Sequence, residues 1–223
     1  MEIVPGLHRV RLLGAAAYLA DGDGLTLIDA GLRGSGPFLR RYLEGIGRSP
    51  RDVARIVCTH AHPDHIGGVR EIAALTSAEV LMHETDVKRL RIGFRQALLE
   101  LRPSAFVALI TTGPEDAKPL QDGMVLPALG GLEVVHTPGH TPGSVCLYAR
   151  GPRVLIVGDV LQVIRGRVSL PSHVFTEDMS QARRSIARLA ELDVDVICFA
   201  HYPAWRDGGG EALRALAVAE GAA

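Results

Sequence analysis

CTHAHPDHIGG, residues 58–68, packs three histidines and an aspartate into six positions, between an apolar run and a glycine pair. The run before it, Ala54–Cys58, reads as a buried strand. His60 and His62 are two apart, so in extended backbone they point to the same side and can reach one ion. Pro63 forces the chain to turn, after which Asp64 and His65 can aim at a second point nearby. Gly67 and Gly68 remove side-chain bulk where the next helix begins. One histidine here would read as a polar loop. Three imidazoles and a carboxylate directly beyond a strand read as metal ligands, of a type that suits zinc, iron or manganese.

Four groups do not complete two metal sites, so other segments should contribute. HTPGHTPGS, residues 136–144, places His136 and His140 in a Gly/Pro turn between two β-type runs. VGD, residues 157–159, puts Asp159 at the end of an apolar strand, and FAHYP, residues 199–203, does the same with His201. In each case a ligand-type residue follows a strand or sits in a tight turn beside one. Loops at strand ends, held by a rigid scaffold, are where catalytic groups concentrate.

Composition narrows the classes. The chain has 223 residues and a net charge of −1, which leaves no basic footprint for nucleic acid and no attraction to an anionic membrane. Three cysteines in apolar runs argue against a disulfide framework and for a reducing, cytoplasmic setting. The start, MEIVPGLHRV, lacks the features of a signal peptide, and no apolar run approaches membrane-spanning length. The expected partner is a small-molecule substrate.

The order of elements suggests one domain over residues 1–223. β-type segments come first, at Ile3–Leu13, Ala16–Leu19 and Leu25–Asp29, followed by a helix at Pro37–Ile46. After the histidine stretch come helix Val69–Leu75 and strand Glu79–His83. Residues 84–112 read as a mostly helical insert, with Phe94, Leu98 and Phe106 among its apolar positions. Strands follow near Leu132–His136, Ser144–Ala149, Val154–Val157 and Val194–Phe199. Helices are expected at Met179–Leu192, with Asp178 as cap, and at Glu211–Ala219. Strands in both halves, with helices after each, predict an α/β (α+β) chain: a four-layer αββα sandwich of two mixed β-sheets flanked by helices.

The succession T-H-x-H-x-D-H, T-P-G-H-T, G-D and a late histidine resembles the metallo-β-lactamase fold superfamily, from LIDAG at residues 27–31 to His201. The resemblance implies that His60, His62 and His140 hold one metal ion. It assigns Asp64, His65 and His201 to a second ion, with Asp159 bridging the two. Asp29 matches a position that steadies a ligand imidazole from behind, and Asp64 one that also orients the nucleophile. Two divalent ions are implied, zinc first, with iron or manganese as alternatives. The implied activity is that of a binuclear metallo-hydrolase. In it, a hydroxide shared by the ions cleaves an ester, a thioester as in glyoxalase II, or a lactone.

The same resemblance separates branches. The best-known lactamases are similar but carry cysteine where Asp159 stands. Di-iron electron carriers of this fold have glutamate where His62 stands. The nuclease branch adds RNA-gripping arms. The full-length thioester hydrolases carry a helical glutathione-binding domain, whereas about twenty residues follow His201 here. The alternative function is a persulfide (sulfur) dioxygenase of the same fold, with a single iron on His60, His140 and Asp159. His173 and Tyr202 lie in segments expected to reach the metal rim and touch substrate. Trp205 is expected at the pocket mouth or in packing, and His83 and His136 in structural hydrogen bonds. The insert's apolar stripe is expected to pack on the sandwich or on a partner in a homodimer, ahead of the other reading, a lid or pocket wall for an acyl chain.

Overall fold

The computed structural model describes residues 1–90 and 116–221. A seven-stranded sheet runs in chain order: β1 (Glu2–Val4), β2 (Leu7–Arg11), β3 (Ala16–Ala20), β4 (Leu25–Ile28), β5 (Val53–Cys58), β6 (Glu79–His83) and β7 (Lys118–Leu120). Its first half is antiparallel, and β4 to β7 are parallel. A five-stranded sheet holds β8 (Val125–Leu126), β9 (Leu132–His136), β10 (Val145–Ala149), β11 (Val154–Ile156) and β14 (Val196–Cys198) in the order β14-β11-β10-β9-β8. Both sheets are therefore mixed, as expected. A separate hairpin pairs β12 (Gln162–Ile164) with β13 (Arg167–Ser169). The helices are α1 (Gly36–Gly45), α2 (Pro63–Ile66), α3 (Val69–Thr76), α4 (Glu84–Leu90), α5 (Met179–Ala190) and α6 (Gly209–Ala219).

Three apolar clusters make four layers. Between the sheets, Tyr18, Ile28 and Val57 of the first meet Val134, Leu147 and Ile156 of the second. Outside the first sheet, Leu39 and Leu43 of α1 and Ile72 of α3 cover Leu19, Leu27 and Ile56. Outside the second, Ile186 and Leu189 of α5 and Leu213 of α6 cover Tyr148, Leu155 and Ile197. The period of two decides these faces. In β10, Val145, Leu147 and Ala149 face the other sheet, while Cys146 and Tyr148 face the helices. All five are buried, which is why VCLYA reads as a continuous apolar run.

Some expectations change. Ile3–Leu13 is not one strand: Gly6 takes φ +78° and folds it into the β1–β2 hairpin. VLQVIRGRVSLPSH, residues 160–173, to which the sequence reading assigns no element, contains the β12–β13 hairpin, closed by Arg165 (φ +49°) and Gly166 (φ +73°). Strands β7 and β8, of three and two residues, are too short to show a period. Of the 84–112 insert, Glu84–Leu90 is helical, and the remainder, with its apolar stripe, lies outside the described residues. Asp178 caps α5 as expected, its Oδ1 accepting from Gln181 N–H at 2.9 Å. Among the described residues, no helix is long and apolar enough to cross a membrane.

The fold brings strand ends together. β4, β5 and β6 lead to Asp29, His60 and Asp86, and β11 and β14 lead to Asp159 and His201, all at one edge of the sandwich. Val145 N–H donates to the Thr59 carbonyl at 2.9 Å, tying the start of β10 to the end of β5 across the two sheets.

Candidate metal centre

Thr59, the first residue beyond β5, sets up the histidine stretch. Its N–H and hydroxyl both donate to the Asp29 carboxylate, at 2.8 and 2.9 Å. With that proton committed, Oγ1 accepts from His60 Nδ1–H at 3.1 Å. His60 Nε2 is then the bare nitrogen. It is buried and finds no hydrogen-bond partner among the described residues. His62 ends the extended segment as the N-cap of α2, with Pro63 at the first helical position, and Asp64 and His65 follow on that turn. His65 Nδ1–H donates to Asp29 Oδ2 at 2.8 Å, so its Nε2, buried and without a hydrogen-bond partner among the described residues, faces the carboxylates of the cluster. Asp29 does this from φ +64°.

The other ligand-type residues converge from the second sheet. His140 Nε2 lies 3.0 Å from His62 Nδ1. The turn that carries His140 is pinned by α5. Gly139 has φ +140°, and a Cβ there would sit 2.3 Å from Ala182 N, so only glycine lets the loop approach the helix. Asp159 faces both halves of the cluster. Its Oδ2 is 3.8 Å from His140 Nε2, while its Oδ1 is 3.4 Å from His65 Nε2 and 3.3 Å from His201 Nε2. Asp64 Oδ2 is 3.2 Å from His201 Nε2. Two groups result, His60–His62–His140–Asp159 and Asp64–His65–Asp159–His201. Within each, one atom from every residue lies within 4.8 Å of the others. Imidazole nitrogens turned toward shared carboxylates at this spacing fit divalent cations.

The electrostatics separate the two groups. Burial, reinforced by the neighbouring imidazoles, holds His60 well below its usual 6.5 and takes His62 to about 3, so both stay neutral, the form that binds metal. Burial also disfavours charge on His65, but Asp159 and Asp29 outweigh it and raise its pKa well above 6.5. Contacts with Asp159 and Asp64 raise His201 to about 9. Burial opposes ionisation of Asp159, yet the facing His65 and His201 hold it well below the carboxylate range.

These shifts fix a pH dependence for the metal-free protein. Below 6.5 the unfolded chain binds protons that folded His60 and His62 refuse, so stability falls with falling pH. Above 6.5, folded His201 keeps a proton that the unfolded chain has lost, and this contribution disappears as pH rises through about 9. Urea midpoints of the metal-free protein should therefore peak near neutrality. His62 alone should cost about 2 kcal/mol by about pH 5. A midpoint that climbs steadily on acidification would refute this.

Asp29 gives a further expectation. Asp29→Ala frees the His65 ring and the Thr59 hydroxyl, and metal affinity should drop about 10–100-fold with the fold retained. Titration against a competing chelator measures it.

The cluster forms the floor of a cavity of about 470 Å³, lined also by Pro63, Leu161, Gln162, Ser172, Phe175 and Tyr202. Tyr202 reaches the rim as expected, its hydroxyl donating to Gln162 Oε1 at 3.4 Å. His173 does not line it: the side chain is exposed, and its neighbours Ser172 and Phe175 take the wall. Trp205 packs against the second sheet's outer cluster and donates to the Asp207 carbonyl. His83 and His136 stack face to face, with centroids 4.1 Å apart. Cys58 is buried on the helix side of the first sheet, its thiol pushed up by burial.

Asp86 is the residue that sequence reasoning passed over. Fully buried in α4, it accepts from Ala61 N–H at 2.8 Å, Thr141 Oγ1–H at 2.7 Å and Gly143 N–H at 2.8 Å. It joins the His60–His65 loop to the His140 loop. No local signal marks it, because its partners Ala61, Thr141 and Gly143 come from segments distant in sequence.

A two-sheet sandwich with a His/Asp cluster at its edge defines a metallo-hydrolase scaffold. Residues 10–201 match the family model of the metallo-beta-lactamase superfamily. The chain belongs to that superfamily. It is 26% identical over 233 residues to the probable metallo-hydrolase YflN of Bacillus subtilis, covering 90% of this chain and 85% of the relative. It is 30% identical over 177 residues to the probable metallo-hydrolase MJ0888 of Methanocaldococcus jannaschii, covering 79% and 80%. Among solved structures it resembles the metallo-beta-lactamase family protein TTHA1429 from Thermus thermophilus, with TM-score 0.78 and 27% identity over 99% of this chain and 81% of that one. These relatives support a hydrolase.

Proposed function

We propose that the protein is a binuclear metallo-hydrolase that cleaves small, uncharged carbonyl compounds: esters, lactones or thioesters. The observation that carries this reading is Asp159, whose two oxygens face two different sets of histidines. His60, His62 and His140 would hold one divalent ion, Asp64, His65 and His201 the other, and Asp159 both. When bound, such a pair supplies Lewis acidity and an acidified water at neutral pH.

The protein's own groups supply the rest. Asp64 lines the cavity, and its contact with His201 overcomes burial and keeps its carboxylate pKa low. It is therefore ionised near neutrality and able to orient a water by accepting its hydrogen bond. Pro63, Leu161 and Phe175 give the walls an apolar surface that fits an acyl or ring carbon skeleton. Among the described residues, no lysine or arginine lines the cavity, which favours a neutral substrate over a glutathione conjugate or a phosphodiester. Gln162, fixed by its Nε2–H bond to the Leu170 carbonyl at 2.8 Å, and Tyr202 offer the polar contacts.

The deciding experiment is metal content read with turnover. Close to two metal ions per chain, hydrolysis of an ester, lactone or thioester panel and no oxygen uptake on glutathione persulfide are the expected results. One iron per chain with oxygen uptake would overturn the hydrolase in favour of the mononuclear dioxygenase. That alternative leaves Asp64, His65 and His201 without a task.

A further inference from the structure

His140, Asp159 and His201 reach the cluster from the second sheet, but His201 stands on backbone that has left that sheet. The ladder of β14 ends at Cys198, whose carbonyl accepts from Val157 N–H at 3.0 Å. The chain rejoins it at Trp205, which exchanges two hydrogen bonds of 2.9 Å with Ile197. In between, the carbonyls beside His201 are held by the first sheet. Phe199 accepts from Tyr18 Oη–H at 2.8 Å, Ala200 from Ala16 N–H at 2.9 Å, and Tyr202 from Arg9 Nη2–H at 3.4 Å. Arg9 and Tyr18 stand directly opposite each other on β2 and β3, so both side chains take the face toward the other sheet, where Tyr18 is buried. Burial pushes the Tyr18 hydroxyl's pKa up, so the donor keeps its proton.

The His201 ring makes that grip matter. His60, His65 and His140 each have a hydrogen bond behind the ring, to Thr59, Asp29 and Thr176. His201 Nδ1 has none among the described residues, and its Nε2 faces Asp64 and Asp159, which are themselves ligand-type residues. Its side chain is also the most open of the seven, 36% exposed. Groups behind a ligand imidazole normally fix its orientation. Without one, the ring takes its place from its own backbone.

We propose that Tyr18 is a positioning residue for the Asp64–His65–Asp159–His201 group. Its hydrogen bond to the Phe199 carbonyl, supported by Arg9 on the other side of His201, fixes the backbone from which that imidazole reaches the two carboxylates. It thereby sets how tightly this group holds its ion, given the two-metal reading on which the proposal rests. Tyr18 belongs to neither metal group and does not line the cavity, so its effect travels through the loop.

Stepwise removal of zinc from the loaded protein by a competing chelator resolves the two affinities. Tyr18→Phe keeps the ring in the core and removes only the donor. It should weaken the ion of the His201 group at least about tenfold and leave the other ion's affinity unchanged. The affinity abolished by His201→Ala identifies which site that is. Arg9→Met, which frees the Tyr202 carbonyl, should act in the same direction, and it decides the matter if Tyr18→Phe does not fold. Tyr148→Phe controls for stability alone: its hydroxyl also donates to a backbone carbonyl at 2.8 Å, that of Asp193, and its loss should move neither affinity. Two ions in the wild type, with both affinities unchanged or both weakened alike in Tyr18→Phe, overturn the proposal while the two-metal reading stands. So does an equal loss of the second ion in Tyr148→Phe. A wild-type chain that takes up a single ion overturns both.

Discussion

Asp159→Ala is expected to cut hydrolysis by at least about a thousandfold, the loss of several kcal/mol of charge stabilisation at the reacting centre. The reason is geometric. Among the described residues, Asp159 is the one carboxylate shared by both clusters, facing His140 on one side and His65 and His201 on the other. Removing it takes a ligand from each at once, so metal content should fall together with activity. Asp159→Asn keeps the shape but offers one acceptor oxygen and no charge, and should recover little. The variants are to be compared by elemental analysis and turnover on whichever substrate the panel identifies. Full metal content and full turnover in Asp159→Ala would sink the binuclear reading.

Asp86→Ala has the largest expected effect outside the ligand set. Three buried donors, Ala61 N–H, Thr141 Oγ1–H and Gly143 N–H, lose their acceptor together. Unsatisfied buried donors cost about 1–3 kcal/mol each, so the loss should reach about 3 kcal/mol or more. That corresponds to a fall in melting temperature of about 6–12 °C for a domain of this size. Activity should fall as well, although Asp86 lies in neither metal-ligand group, because it fixes the two loops that bring His62 and His140 within 3.0 Å. Asp86→Asn retains one acceptor and should fall between. Thermal melts and turnover at a temperature where both variants remain folded separate the two effects. Wild-type stability in Asp86→Ala would mean that the three donors find other acceptors.

The ligand-type residues were legible because their chemistry is concentrated. His60, His62, Asp64 and His65 sit in one stretch, and His140, Asp159 and His201 each stand at a strand end or tight turn. The structure brings all seven together in two adjoining groups that share Asp159. The longer strands were legible for a related reason: Ile56–Cys58 at the end of β5 and all of Val145–Ala149 are buried and read as apolar runs. Asp86 was not legible, because one aspartate at the start of a helical run looks like any solvated acid. Its role comes from parallel pairing of β5 with β6, which no local pattern encodes. The β12–β13 hairpin and the short strands β7 and β8 were hidden by length, since two or three residues cannot display a period. Tyr202 reached the rim while His173 turned outward, because the sequence places a loop near the site without fixing which side chain faces in.

The division of the cluster between the two sheets has a kinetic consequence. His60, His62, Asp64 and His65 hang from the first sheet, and His140, Asp159 and His201 from the second. An ion held by both sets would be a crosslink, from His60 to Asp159 in one group and from Asp64 to His201 in the other, and closing long loops is where such a clip restrains the unfolded chain most. Peeling the sheets apart then requires the ion to leave first. The lifetime of the loaded fold becomes tied to the rate of metal release, and chelation should shorten it even under conditions where the equilibrium still favours the native state.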